Sequence, residues 1–249
     1  MPELAIIGSS NAIPTLDRDN TYLTLRTSEK HVLIDCGSSA WVRLTNAGMT
    51  PEQLTDIIIT HFHPDHVAGL PLLLMDLWLV GRKNPLVIHG LNETILRIQS
   101  MMELFGWENW PDFFEVSFVV IPAARAIVLG DSSVTVWANP VKHLIPTIGL
   151  RIEGSDHSFS IAYTCDTEPC EGVDELAREV NILIHESAGK AVGHSSAAQA
   201  GEAAARAEVD QLVLIHYPDL PDGSSLISSA SERYSGKIVL AKDGMVFRW

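Results

Sequence analysis

The sequence predicts a mixed α/β chain folded as a four-layer αββα sandwich. Two observations carry that reading. Short β-rich runs followed by alternating strand and helix occur twice, with the join near residues 121–126. The 249 residues are also 46% hydrophobic, enough to fill a sizeable core and to exclude general disorder. Two such halves bury their apolar faces best by stacking sheet on sheet with helices outside. Residues 1–249 are therefore expected to form one domain of two halves.

The elements follow from local pattern. Runs 4–7, 22–26 and 32–34 are bounded by Gly8, Asn20 and Gly37 and read as strands separated by turns. A helix is expected over 39–47, a strand over 57–60 and a long helix over 67–82. Residues 86–89 read as a strand and 93–105 as a helix. The middle is β-rich at 113–121, 126–129, 133–138, 148–153 and 159–164. In the last third, strands at 182–184, 212–215 and 237–240 alternate with an Ala-rich helix at 196–208.

Charge and cysteine content narrow the function. Seventeen Lys and Arg against thirty-one Asp and Glu leave a formal charge of −14, so no overall field attracts nucleic acid or an anionic membrane. Cys36, Cys165 and Cys170 are too few for a disulfide framework and fit a reducing cytoplasm. The opening MPELAIIGSSNAIP lacks a basic leader, and the longest apolar stretch, 67–81, is broken by Pro71 and Asp76. A soluble cytoplasmic protein with no membrane partner is expected.

The strongest chemical signal is Thr60-His61-Phe62-His63-Pro64-Asp65-His66, after an apolar strand and before a helix. In an extended segment alternate residues point the same way, so His61 and His63 face one site. Asp65 and His66 can reach it from the turn. Imidazoles with a carboxylate suit zinc or another first-row divalent ion. By chance such a pattern arises roughly once per thousand chains of this composition. His143, Asp166 and His216 each follow a β-rich run. Strand ends converge on one rim of a sheet, which makes these three further ligand candidates.

These residues resemble the metallo-β-lactamase superfamily, in its ribonuclease Z-like and phosphodiesterase branch. The likeness covers nearly the whole chain: Ile6-Ile7-Gly8-Ser9-Ser10, Asn11-Ala12-Ile13-Pro14, Leu33-Ile34-Asp35-Cys36-Gly37, the histidine segment, residues 143–152, Tyr163-Thr164-Cys165-Asp166-Thr167, His185-Glu186-Ser187 and residues 193–200. Cys165 departs from the branch's pattern, which has glycine there. The resemblance implies one metal held by His61, His63 and His143, a second held by Asp65, His66 and His216, and Asp166 bridging them. It implies two divalent ions, zinc first, with manganese or iron as alternatives, and a hydroxide between them as nucleophile. Candidate catalytic residues are Asp65, His194 as proton donor and Glu186 orienting it; otherwise His194 merely precedes a helix whose N-cap would be Ser195.

Asp35 reads as an acceptor fixing one ligand imidazole, or as a turn former before Gly37. His31, His89, His157 and His185 read as structural. Lys142, Arg151 and Lys190 are candidate phosphate contacts but read better as solvated charges. No nucleotide-binding loop is present.

Only residues 153–158 separate two β segments where ribonuclease Z proper has a tRNA-gripping arm. The expected function is therefore hydrolysis of small or cyclic nucleotide-like phosphodiesters; the missing arm and the net charge argue against a long nucleic-acid partner without excluding one. Alternatives are tRNA 3′-processing by a ribonuclease Z, hydrolysis of lactones, esters or thioesters, and a non-catalytic metal-binding regulator. Residues 72–80 form a helix apolar on nearly every side, which needs covering twice. A homodimer through that helix is expected.

Overall fold

The computed structural model describes residues 1–220 and 222–249. In chain order the elements are β1 (Glu3–Gly8), β2 (Tyr22–Arg26), β3 (His31–Ile34), α1 (Ala40–Asn46), β4 (Asp56–Ile58), α2 (Pro64–Val67), α3 (Leu70–Leu79), β5 (Leu86–Leu91), α4 (Asn92–Leu104) and β6 (Val116–Ile121). There follow β7 (Ala126–Gly130), β8 (Val134–Val141), β9 (Thr147–Gly154), β10 (Ser160–Tyr163), α5 (Glu171–Ala177), β11 (Ile182–Glu186), α6 (Ala197–Arg206), β12 (Gln211–Ile215), α7 (Ser224–Ser231), β13 (Lys237–Leu240) and β14 (Val246–Arg248).

The strands form two seven-stranded sheets, ordered β14-β1-β2-β3-β4-β5-β6 and β13-β12-β11-β10-β9-β8-β7. Strand periodicity assigns each residue to a layer. Leu4, Ile6, Val32, Ile34 and Ile58 meet Ile182, Ile184, Val213 and Ile215 in the core between the sheets. Their neighbours Ala5, Ile7, Leu33 and Ile57 face outward to a second core with Leu44, Leu73, Leu77 and Ile98 of the helices. On the other side Leu183, Leu212 and Leu214 pack on α5, α6 and α7 through Val173, Ala200 and Ala230. The αββα order is thus the alternation of these strands read out in three dimensions.

Some expected elements differ. The helix expected over 67–82 is two, α2 and α3, broken at Ala68 and Gly69. Gly69 packs so closely on α1's approach that a Cβ there would lie 1.9 Å from the Ser38 carbonyl oxygen. The strand expected over 113–121 starts only at Val116, because Phe113 and Phe114 turn into the helix-side core. Helices α5 and α7 and strand β14 carry no strong local signal. The serine-rich α7 depends on packing against α6, and β14 on pairing with β1 at the far end of the chain.

Residues 122–125 carry the chain from β6 to β7, while β14 returns to the edge of the first sheet. Strands β3, β4 and β5 are parallel to one another, as are β10, β11 and β12. Their carboxyl ends therefore supply one rim. Among the described residues no helix is long and apolar enough to cross a membrane.

Candidate metal centre

Strand β4 ends at Ile58, and Pro64 opens α2, where its missing N–H costs nothing. Between them His61 and His63 project into the rim together. A Cβ at Gly37 would fall 1.8 Å from the Asp65 carbonyl oxygen, so only glycine lets the two loops meet this closely.

The histidines make two groups. His63 Nδ1 lies 3.1 Å from His61 Nε2 and 3.0 Å from His143 Nε2. Tetrahedral zinc with Zn–N of about 2.0–2.1 Å needs its nitrogens roughly 3.3 Å apart, so this spacing is close to that of a ligand set. In the second group, His66 Nε2 lies 3.5 Å from Asp65 Oδ2, and His216 Nε2 lies 4.0 Å from the same oxygen. Asp166 Oδ2 stands between the groups: 3.5 Å from His66 Nε2, 3.3 Å from His216 Nε2, 3.9 Å from His143 Nε2 and 4.0 Å from His61 Nε2. His66 Nε2 and Asp166 Oδ1 are buried with no hydrogen-bond partner. Orphaned polar atoms at such depth are costly unless something binds them, and a divalent cation fits these donors.

The far side of each ring is held. His66 Nδ1 donates to Asp35 Oδ2 (2.9 Å), His143 Nδ1 to the Gly193 carbonyl (2.6 Å) and His216 Nδ1 to the Thr21 hydroxyl (3.1 Å). His61 Nδ1 faces the Thr60 hydroxyl at 3.1 Å. Asp35 sits in the left-handed region at φ 65, and its carboxylate holds His66.

Electrostatics follow burial and crowding. Burial, then the proximity of His66, holds His61 well below the usual imidazole range, and burial lowers His216 to about 4. Burial opposes ionisation of Asp166, but His216 and His66 outweigh it and hold its carboxyl well below the usual range. Burial also lowers His63 and His143, so the first histidine group favours the neutral form in which imidazole binds metals.

His194 lies beside both groups, its ring 4.9 Å from that of His143 and 6.0 Å from that of His216. Its Nδ1 is 3.0 Å from Glu186 Oε1, and that hydrogen bond raises the His194 pKa. Glu186, the buried last residue of β11, is pushed up to about 7 by burial. It also accepts from the backbone N–H of Thr167, Ser195 and Ala188. The expected N-cap, Ser195, is corrected to Ser196, which forms a capping box with Gln199. Ser195 instead donates from its hydroxyl to the Thr167 carbonyl.

The remaining candidates stand apart. Arg151 binds Glu153 and the carbonyls of Leu176 and Arg178, outside the rim. Lys142 pairs with Glu168, and Lys190 is exposed. His89 is paired with buried Asp56 at 2.8 Å, and His185 donates to the Glu186 carbonyl. Sequence reasoning gave no role to Thr21, Thr60 and the Gly193 carbonyl. Thr60 abuts the motif and was within reach. Thr21 and Gly193 become visible only when distant segments meet.

The model of the family described as "Anti-Pycsar protein Apyc1" matches residues 2–242. The chain belongs to that family. The ribonuclease Z of Mycolicibacterium gilvum (strain PYR-GCK) is 29% identical over 276 residues, covering 98% of this chain and 94% of that protein. The metallo-β-lactamase fold protein YhfI from Bacillus subtilis superposes with a TM-score of 0.84 at 22% identity, covering 99% of this chain and 98% of the other. Human tRNase Z, short form, gives 0.79 at 23%, with 99% and 98% covered. The two structural likenesses show the fold. Together with the curated relatives they place this Apyc1-family chain on the ribonuclease Z-like branch of the metallo-β-lactamase superfamily, as a metal-dependent hydrolase.

Proposed function

We propose that the chain is a dinuclear-metal phosphodiesterase acting on small or cyclic nucleotide-like diesters. The observation that carries this reading is the shared oxygen: Asp166 Oδ2 lies within 4.0 Å of ring nitrogens from both histidine groups. On this reading His61, His63 and His143 would hold one ion and Asp65, His66 and His216 the other, with Asp166 placed between the two groups. The donors suit zinc, and manganese or iron would also fit. When bound, the ions lower the pKa of an attacking water and stabilise charge on the phosphoryl oxygens. Asp65 orients that water from the second group. His194, its Nδ1 held by Glu186, turns its other nitrogen to the substrate and protonates the leaving oxygen. Glu186 stabilises the imidazolium until that transfer.

A small substrate is supported by the connection between β9 and β10, which runs only from Ser155 to Phe159 and holds no arm, and by the charge of −14. The chain's three free cysteines agree with a reducing cytoplasm. Residues 1–249 act as one domain, on this reading, with the site on the rim shared by both halves. The outer face of α3 leaves Leu72 and Leu79 exposed, with Val80 beside them, which supports a homodimer through residues 72–80.

The relatives' name favours a second reading, ribonuclease Z cleavage of precursor tRNA. Hydrolysis of bis-p-nitrophenyl phosphate, 3′,5′-cyclic nucleotides and precursor tRNA, each with added Zn²⁺ or Mn²⁺, separates the two. Metal-dependent turnover of the small diesters is expected. Absence of turnover on every diester sinks the proposal, and cleavage of the tRNA alone establishes the second reading.

A further inference from the structure

We propose that Thr60 is a positioning residue whose hydroxyl fixes the tautomer of His61 and ties both histidine groups to one buried carboxylate, Asp35. The inference rests on the reading of those groups as metal-holding. Thr60 Oγ1 has four neighbours: Asp35 Oδ2 at 2.8 Å, Asp35 Oδ1 at 3.0 Å, Cys165 Sγ at 3.0 Å and His61 Nδ1 at 3.1 Å. All four residues are fully buried, so no solvent supplies an alternative partner.

A hydroxyl has one proton and two lone pairs. Both Asp35 oxygens already accept, Oδ1 from the Thr60 N–H and Oδ2 from His66 Nδ1–H, so toward the hydroxyl Asp35 is an acceptor and the Thr60 proton goes to it. The two lone pairs are then left for donors, and only His61 Nδ1–H and Cys165 S–H stand there. The proton of neutral His61 must therefore sit on Nδ1. Its Nε2, the atom facing His63 and His143, is left as a free lone pair. Asp35 sets His66 in the same way but directly, through Oδ2 at 2.9 Å. The Thr60 backbone N–H also binds Asp35 Oδ1 at 2.8 Å, which holds hydroxyl and carboxylate in register. One carboxylate thus orients a ligand of each group, and the hydroxyl is the link to the first.

Cys165 completes the arrangement. It adopts φ 54, a region unfavourable to a side chain, and its thiol fills the remaining place on the Thr60 oxygen. With the hydroxyl removed, the polar contact left to His61 Nδ1 is Cys165 Sγ at 3.6 Å, too long and weak to hold one tautomer.

The test measures Zn²⁺ binding to the full chain by competition with a chromophoric chelator, supported by the visible spectrum of the Co²⁺-loaded protein. Thr60→Val should weaken one Zn²⁺ site by about 10–100-fold and spare the other. Asp35→Asn should weaken both, and Thr60→Ser should restore wild-type binding and the wild-type Co²⁺ spectrum. Unchanged affinity in Thr60→Val overturns the inference, as does equal weakening by Thr60→Ser. If Thr60→Val does not fold, long-range ¹H–¹⁵N spectra of wild-type imidazoles decide: His61 protonated on Nε2 overturns it. A wild-type chain that binds no divalent metal refutes the metal-holding reading itself, a distinguishable failure.

Discussion

Glu186→Gln isolates the charge behind His194. The carboxylate meets four donors, three on Oε1 (Thr167 N at 3.1 Å, Ser195 N at 3.0 Å, His194 Nδ1 at 3.0 Å) and one on Oε2 (Ala188 N at 2.8 Å). A glutamine has one acceptor oxygen, which three donors against one will draw to the Oε1 position. Its amide group then faces the Ala188 N–H, donor against donor, at a cost of about 1–3 kcal/mol in stability. The His194 Nδ1–H keeps its acceptor, so the tautomer survives and only the charge is lost. Hydrogen bonds to charged groups exceed neutral ones by about 1–1.5 kcal/mol, which is about tenfold in rate if that bond stabilises the imidazolium during proton transfer. The hydrogen bond that His194 donates to Glu186 raises the His194 pKa, and a proton donor loses activity as pH rises through its pKa. The alkaline limb of kcat should therefore move to lower pH in the variant. Hydrolysis of bis-p-nitrophenyl phosphate from pH 5 to 9, with metal content by elemental analysis, reads both effects. Metal loss, an unmoved alkaline limb, or a rate as low as that of His194→Ala would each refute the reasoning.

Four further outcomes are expected. His63→Ala should lose both bound metal and turnover, whereas His194→Ala should keep metal while its rate falls ~10²–10⁴-fold; elemental analysis beside kinetics separates them. Gly193→Ala should deplete one metal site in a folded protein, because its Cβ would lie 2.9 Å from His143 Nδ1 at φ +84, and metal titration reads that loss. If the chain dimerises through α3, Leu79→Glu should yield monomers by sedimentation equilibrium; Leu73, buried against the chain's own sheet, would report only unfolding. Burial lowers His185 to about 4 from an ordinary 6.5, so the unfolded chain binds more protons between those values and stability falls as pH drops through that window. About 2 kcal/mol of this contribution is lost by pH 5, and urea unfolding of His185→Asn at pH 7 and 5 should show a correspondingly smaller decline.

The sequence by itself determined the layers and the ligand candidates. Alternating apolar residues such as Leu4 and Ile6 against Ala5 and Ile7 assign faces without any knowledge of partners, since strand periodicity is local. His61, His63, Asp65 and His66 likewise declare themselves, because one strand end and one turn carry all four. Local pattern could not show that Asp166 Oδ2 lies between two histidine groups, or that four donors converge on Glu186. Asp166 meets histidines 23 to 105 residues away, and the donors to Glu186, though within 19 residues of it, come from loops whose path short-range pattern does not encode. The same holds for the supports of the rings: Thr21 reaches His216 only where the two sheets meet, and the Gly193 carbonyl reaches His143 across 50 residues of the second sheet. The break at Gly69 is tertiary too. Its apolar surroundings read as continuous helix, and only the approach of the Ser38 carbonyl shows why the chain must turn there. Propensity and periodicity act over a few residues, whereas the positions of buried protons and lone pairs depend on which distant groups packing brings within about 3 Å.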